Sequence, residues 1–305
     1  MKQMKKILTL LLVGMLLLVG CTMQPAGQEN STDKKSNTIG LSISTMNNPF
    51  FVTLKNATEK KAKEMGFTLI TVDAQNNSAK QASDVEDLIQ KNVDVLLINP
   101  VDSDAVVSAV QSANNANVPV ITLDRSANGG KVVSHIASDN VAGGEIAGKH
   151  LIEIVGNGAS IVELEGVPGS SAARERGQGF HKVIDGKLKV ISKQSADFDR
   201  SKGLSVMENI IQGNKNIQAV FAHNDEMALG AIEALKSAGL TNVKVIGFDG
   251  TNEAKDAVNK GDLSATIAQR PDVMGQTAIE TAKKVLDGQK VETKIPVDLE
   301  LTVKK

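Results

Sequence analysis

The 305 residues carry 34 basic and 35 acidic side chains, seven Phe, one Cys, and neither Trp nor Tyr. Binding driven by a nucleic-acid backbone needs a concentrated positive face, and no basic block is visible, so no nucleic-acid partner is expected. One cysteine excludes an intramolecular disulfide, so stability has to come from core packing.

Taken in chain order, Lys2, Lys5 and Lys6 precede an apolar run from Ile7 to Val19 broken only by Thr9 and Gly14. A basic patch before a short apolar segment is the layout of an export signal. The run falls short of the roughly 20 residues that span a bilayer as a helix. It ends Leu18-Val19-Gly20-Cys21, with small residues before a thiol that can accept a lipid. Residues 1–21 thus resemble a bacterial lipoprotein signal; the competing reading is an ordinary secretory signal with an incidental cysteine. The resemblance implies removal of residues 1–20 and attachment to the cell membrane through lipid on Cys21, with more than one acyl chain because a single one holds only marginally. The next stretch, to residue 37, is polar and aperiodic and cannot bury enough surface to offset its ordering entropy, so 21–37 reads as the lipidated cysteine and a flexible tether. Loss of the signal leaves 31 basic against 35 acidic side chains.

From Thr38 onward, apolar runs alternate with amphipathic stretches. Strands are expected at 39–43, 67–72, 93–98, 118–123, 159–164, 188–193, 217–222 and 243–248, several of them without a polar face, as in parallel sheets covered on both sides. Helices are expected at 50–65, 79–90, 104–116, 140–155, 171–185, 201–212, 226–238 and 272–287. The alternation predicts an α/β fold of doubly wound parallel sheets. Segment 94–125 lines up with 218–250: each has a strand ending in Asn, a helix, and a strand ending in Asp, and 25 residues separate Asn99 from Asp124 and Asn224 from Asp249. Two similar Rossmann-like lobes follow. The N-terminal one is expected over 38–138 plus about 270–295 and the C-terminal one over 139–269 plus about 296–305, joined by a hinge of several crossings.

In open α/β sheets, ligands bind beyond the carboxyl ends of the strands. That rule selects Asn48, Phe50, Phe51, Asp124, Arg125, Asn224, Asp249 and Gln269, with Arg176 at a helix start and Phe198 in a strand-end loop. Carboxylates accept from adjacent hydroxyls and guanidiniums donate in planar fans. Each amide offers one acceptor and one NH₂, matching a hydroxyl that both gives and takes. Phenyl faces can cover the C–H face of a sugar ring. The competing readings are capping or turn residues for the two aspartates, paired or solvated arginines, and core packing for the Phe50–Phe51 pair. Asp73, Asp102, Asp104, Asp139 and Asp225 read as caps or Asx turns, and Glu175, between two arginines, as an ion-pair partner. The four histidines show no metal-type spacing and no glycine run forms a nucleotide loop, so neither metal nor cofactor is expected.

The segments STMNNPFF (44–51), LLINPVDSDA (96–105), VPVITLDR (118–125), SAARERGQGF (171–180), ADFDR (196–200), AVFAHNDEMALGA (219–231), VIGFDG (245–250) and ATIAQ (265–269) resemble those of the periplasmic sugar-binding proteins of bacterial ABC importers, and within them the ribose-binding type. The resemblance runs from about Thr38 to the end. It implies a type I periplasmic binding protein fold, a monosaccharide ligand clamped between phenylalanines, and no catalysis. The ligand set it implies is the same ten positions, with His223 standing where Gln is expected. An import permease with its ATPase and, in some systems, a chemoreceptor are the implied partners of a monomer. The alternatives are a sugar-binding module for signalling or chemotaxis and a secreted sugar-active enzyme, for which Asp124 and Asp249 would have to supply acid and nucleophile.

Overall fold

The computed structural model describes residues 37–214 and 216–304. The expected signal, Cys21 and all of the expected tether except Asn37 lie outside the described residues. In chain order the elements are β1 (Thr38–Ile43), α1 (Pro49–Glu64), β2 (Thr68–Asp73), α2 (Ser78–Gln90), β3 (Val95–Ile98), α3 (Val107–Asn115), β4 (Val120–Leu123) and β5 (Ser134–Ser138). There follow α4 (Asn140–Val155), β6 (Ser160–Glu165), α5 (Ser171–Ile184), β7 (Lys189–Ser195), α6 (Arg200–Gly213), β8 (Ala219–Ala222), α7 (Asp225–Ser237), β9 (Lys244–Asp249) and α8 (Asn252–Lys260). The chain ends with β10 (Ala265–Ala268), α9 (Pro271–Leu286), β11 (Lys294–Val297) and β12 (Glu300–Val303).

The strands form two six-stranded sheets of the same order, β2-β1-β3-β4-β5-β11 and β7-β6-β8-β9-β10-β12. Every pairing is parallel except β10 with β12. The repeat read from sequence occupies equivalent places: β3-α3-β4 in one sheet and β8-α7-β9 in the other. Both faces of each sheet are covered, which is why the strands lack a polar side. In β3, Val95 and Leu97 pack with Leu54 of α1 and Ile279 of α9, while Leu96 and Ile98 pack with Leu88 of α2 and Val110 of α3. The second sheet does the same, with Ile161 and Phe221 facing Phe180 of α5 and Val162 and Val220 facing Met207 of α6. Burying each such side chain contributes about 1.5–3 kcal/mol.

Three details depart from the sequence reading. β5 (SHIAS) and α8 (NEAKDAVNK) were not anticipated, the first because its polar residues break the apolar run, the second because it is short and mostly exposed. Helix α3 starts at Val107 rather than 104, since Asp102 Oδ1 accepts from the Asp104 and Ala105 amides, both at 2.8 Å, and holds that segment in a turn. The chain passes between sheets after β5, after β10 and between β11 and β12. Helix α9 returns to the first sheet, where Met274, Ala278 and Ile279 join its core.

Candidate functional site

The carboxyl ends of both sheets face one cavity of about 220 Å³, lined by Asn48, Phe50, Phe51, Asp124, Arg125, Ala172, Arg176, Phe198, Asn224, Asp249 and Gln269. All ten residues selected from sequence meet there, and Ala172 joins them. The space is narrow, with only about 10 Å³ open to the centre of a water-sized sphere, which points to a small guest.

From the first sheet, the β1 end delivers Asn48 as N-cap of α1, its Oδ1 accepting from the Phe50 amide at 2.9 Å. Phe50 and Phe51 stand edge to face, 5.2 Å apart, and also belong to the core beneath. Asp124 and Arg125 follow β4. Arg125 donates through NH1 to the Pro100 carbonyl at 3.2 Å, and its guanidinium carbon lies 5.1 Å from the Phe51 ring centre and 5.2 Å from that of Phe198 in the opposite lobe.

From the second sheet come Arg176 on α5, Phe198 after β7, Asn224 after β8, Asp249 at the end of β9 and Gln269 after β10. Arg176 donates through Nε to Asn140 Oδ1 at 2.9 Å and through NH1 to the His223 carbonyl at 2.6 Å, with its guanidinium 3.8 Å from the Phe248 ring centre. Asn224 caps α7, Oδ1 accepting from the Met227 amide at 3.0 Å and Nδ2 donating to the Phe198 carbonyl at 3.2 Å. Gln269 Nε2 donates to Asp249 Oδ1 at 2.9 Å.

The amides therefore do not each present a donor and an acceptor, as residue type alone suggested. The oxygens of Asn48 and Asn224 serve helix caps, and Asn224 Nδ2 and Gln269 Nε2 each already donate once, so Asn48 offers its NH₂, Asn224 one N–H, and Gln269 one N–H with its oxygen. Gln269 Oε1, Asp124 Oδ1 and Arg125 Nε are buried with no hydrogen-bond partner among the described residues. A buried polar group left unpaired costs about 1–3 kcal/mol, so a guest whose hydroxyls meet these atoms recovers it.

Each carboxylate has a guanidinium at 3.7 Å, Arg125 Nε for Asp124 and Arg176 NH1 for Asp249, close enough to balance charge and too long for a hydrogen bond. Burial pushes the Asp124 carboxyl up against the pull of Arg125 and Arg176. Burial lifts Asp249 well above its ordinary range, with Arg176 opposing and Asp225 and Asp124 adding to the rise. Burial lowers Arg125 to about 10, opposed chiefly by Asp124, so it stays charged at neutral pH. With two guanidiniums set against two carboxyl groups, the lining suits a neutral polyol better than an ion.

Backbone strain marks the same residues. Asp124 (φ 61), Phe198 (φ 60) and Asp249 (φ 124) all have positive φ, a conformation that costs of order 1–3 kcal/mol each outside glycine. A Cβ on Gly166 would collide with the Phe198 ring, so that glycine makes room for the ring. The lobes also touch beside the cavity, through Ser103 N to Gly169 O and Ser126 N to Ser171 Oγ, both 2.9 Å.

Residues outside the ten have supporting roles that their types did not reveal. Asn140 holds Arg176, and Asn99 spends its side chain on Ser44 and the Leu123 carbonyl, fixing the strand ends. Asp73, Asp102 and Asp139 accept from nearby amides as expected, and Asp104 accepts from Asn128 Nδ2. Asp225 does not cap. Its carboxylate accepts from Thr251 N, Thr251 Oγ1 and Thr266 Oγ1, tying the turn after β9 to β10. Glu175 accepts from Asn140 Nδ2 at 3.3 Å instead of pairing with its neighbouring arginines, and burial raises its carboxyl.

The periplasmic binding protein domain family matches residues 39–290. The chain belongs to that family. As a periplasmic binding protein it is 56% identical over 306 residues to the ribose import binding protein RbsB of Bacillus subtilis (strain 168), covering 99% of this chain and 100% of that one. It is 56% identical over 268 residues to the protein of the same name from Escherichia coli (strain K12), covering 88% and 90%. Among solved structures, an ABC transporter periplasmic solute binding protein from Actinobacillus succinogenes 130z with bound D-allose superposes with TM-score 0.82 at 32% identity, covering 88% of this chain and 97% of that one. The type I periplasmic binding protein architecture, two parallel-sheet lobes facing one cleft, is thus shared with characterised family members.

Proposed function

We propose that this periplasmic binding protein captures a monosaccharide outside the cytoplasm, D-ribose before others, and delivers it to an ABC-type import permease by closure of its two lobes, without chemistry on the sugar. The observation that carries the reading is the convergence of ten side chains from both sheets on one small, charge-balanced cavity containing partnerless buried donors and acceptors. Ribose is favoured over other pentoses and hexoses by the names of the relatives at 56% identity. Because a sugar gains its second set of contacts only when the lobes meet, it draws the population toward the closed form. A catalytic reading is disfavoured because each of the two carboxyl groups faces a guanidinium at 3.7 Å, the arrangement of a binding pair.

Calorimetry on the full chain with ribose, allose, arabinose, xylose and galactose tests this: ribose should bind most tightly, and absence of binding by all five would refute it. Attachment to the cell membrane through lipid on Cys21 belongs to the same proposal, supported by that residue's place after Leu18-Val19-Gly20 and by its being the sole cysteine. Cells fed a labelled palmitate should mark the wild type and leave Cys21→Ser unmarked; equal labelling would sink the anchor. A chemoreceptor is a second possible recipient of the closed form, to be separated from transport by comparing growth on limiting ribose with chemotaxis.

A further inference from the structure

Strand alternation puts Glu163 of β6 on the same face as Ile161, toward the apolar layer formed with Phe180 and Phe221, where a hydrophobic residue would be expected. Its side chain is fully buried. A buried carboxylate at a core position is costly unless every oxygen is met, and here each oxygen meets an imidazole. His223 Nε2 lies 3.0 Å from Oε1 and His181 Nε2 lies 2.8 Å from Oε2. The His181 ring continues outward, its Nδ1 lying 2.8 Å from Oδ1 of exposed Asp185, the residue that follows α5. Inward, His223 immediately precedes Asn224, and its carbonyl accepts from Arg176 NH1 at 2.6 Å. An unbroken line of contacts thus runs from solvent through Asp185, His181, Glu163 and His223 to two cavity residues.

The chemistry of this line is set by proton count. A ring with a carboxylate at each nitrogen makes both bonds only when it carries both protons, so His181 completes its two contacts as imidazolium. Its charge then offsets that of buried Glu163. Loss of that proton leaves Glu163 a buried anion held by His223, and the strand end carrying His223 and Asn224, whose His223 carbonyl accepts from Arg176, takes up the imbalance. Other charged groups face the cluster and are already engaged. Glu165 on β6 pairs with Lys193 of β7 at 3.1 Å, and Lys182 of α5 pairs with Glu145 of α4 at 2.6 Å. On the far side, Arg176 faces Asp249 at 3.7 Å and feels Asp124, Glu175 and Asp225.

We propose that Glu163, clamped between His223 and His181, is a positioning residue for the Arg176 guanidinium, and that loss of the His181 proton makes sugar retention weaken as the medium turns alkaline. The inference rests on the sugar-binding reading and deepens it, by adding to the same site a control that the ten lining residues do not contain. The electrostatics agree with the geometry. Burial raises the Glu163 carboxyl, but the bonds and charges of His223 and His181 outweigh it and hold it below its ordinary value. Burial lowers the His181 ring, but Asp185 and Glu163 outweigh it and hold it above 6.5. A base with a raised folded value contributes fully below its unfolded value and loses that contribution as pH climbs through the folded one, so the clamp on Glu163 loosens in the alkaline direction.

The test is ribose calorimetry on the full chain across about pH 6 to pH 8.5, beside histidine and arginine side-chain NMR on the same protein. Wild-type Kd should rise about threefold or more over that range, and the Arg176 Nε–H resonance should move with the His181 titration. His181→Gln, which keeps an NH donor without the titration, should flatten the Kd profile. Glu163→Gln should uncouple the Arg176 signal from pH; should that variant fail to fold, His181→Gln carries the comparison. A flat wild-type profile with ribose still bound, or an unchanged slope in His181→Gln, overturns the proposal while leaving the binding function intact. If no sugar binds, the binding function fails, and the Arg176 resonance still decides the positioning role: a signal that ignores the His181 titration overturns it.

Discussion

Asp249 shows how a single residue can be costly to the fold and valuable to binding. Burial lifts its carboxyl well above the ordinary 3.8, opposed by Arg176 at 3.7 Å and abetted by Asp225 and Asp124. A carboxyl whose folded value is raised holds its proton more tightly in the native state, so stability falls as pH rises from the unfolded value through the folded one. Asp249→Asn removes that slope. The variant should match or exceed wild-type stability at neutral pH in urea melts while binding ribose more weakly by about 3 kcal/mol, roughly a hundredfold in Kd. Unchanged affinity would remove Asp249 from the site. The residue types of this cavity were legible in sequence because strand ends are where α/β sheets gather polar groups. What each group has left to offer was not, because that depends on local backbone bonds: the Asn48 and Asn224 oxygens disappear into helix caps. Asp225 misled for a related reason, since its partners Thr251 and Thr266 are distant in sequence.

At the scale of elements, the position of Arg176 is set by how closely α5 lies against α4. The contact has no room for a side chain at Gly144: a Cβ there would run into the Arg176 carbonyl oxygen and come within 2.8 Å of the Phe180 amide nitrogen. Because these neighbours are backbone atoms, the helices would have to separate. Gly144→Ala should therefore cost about 1–3 kcal/mol in denaturant melts and also weaken ribose binding, since Arg176 moves with its helix. Full stability with intact affinity would show that the helices yield freely. The long apolar strands and amphipathic helices could be read directly from periodicity, and so could the β3-α3-β4 and β8-α7-β9 repeat. β5 escaped because its inward residues are interleaved with Ser and His, and α8 because its sequence has few apolar side chains to mark a face. Nor does pattern reveal Glu163, whose two imidazole partners come from other elements.

For the molecule as a whole, binding and stability are one equilibrium. A ligand held by both lobes of the native protein and by neither lobe of the unfolded chain adds RT ln(1 + [L]/Kd), about 2.7 kcal/mol at a hundred times Kd. Thermal melts with ribose should rise accordingly, and a sugar that leaves the transition where it was is not the ligand. The path of the chain between its two sheets has a further consequence. The second sheet is contiguous from β6 to β10 and awaits only its edge strand β12, whereas the first lobe waits for α9 and β11, more than a hundred residues after β5. The half that leaves the ribosome first thus stays unfinished until the chain has nearly ended, and a nascent chain stopped before residue 271 would carry a second half lacking only an edge strand beside a first half lacking both a covering helix and an edge.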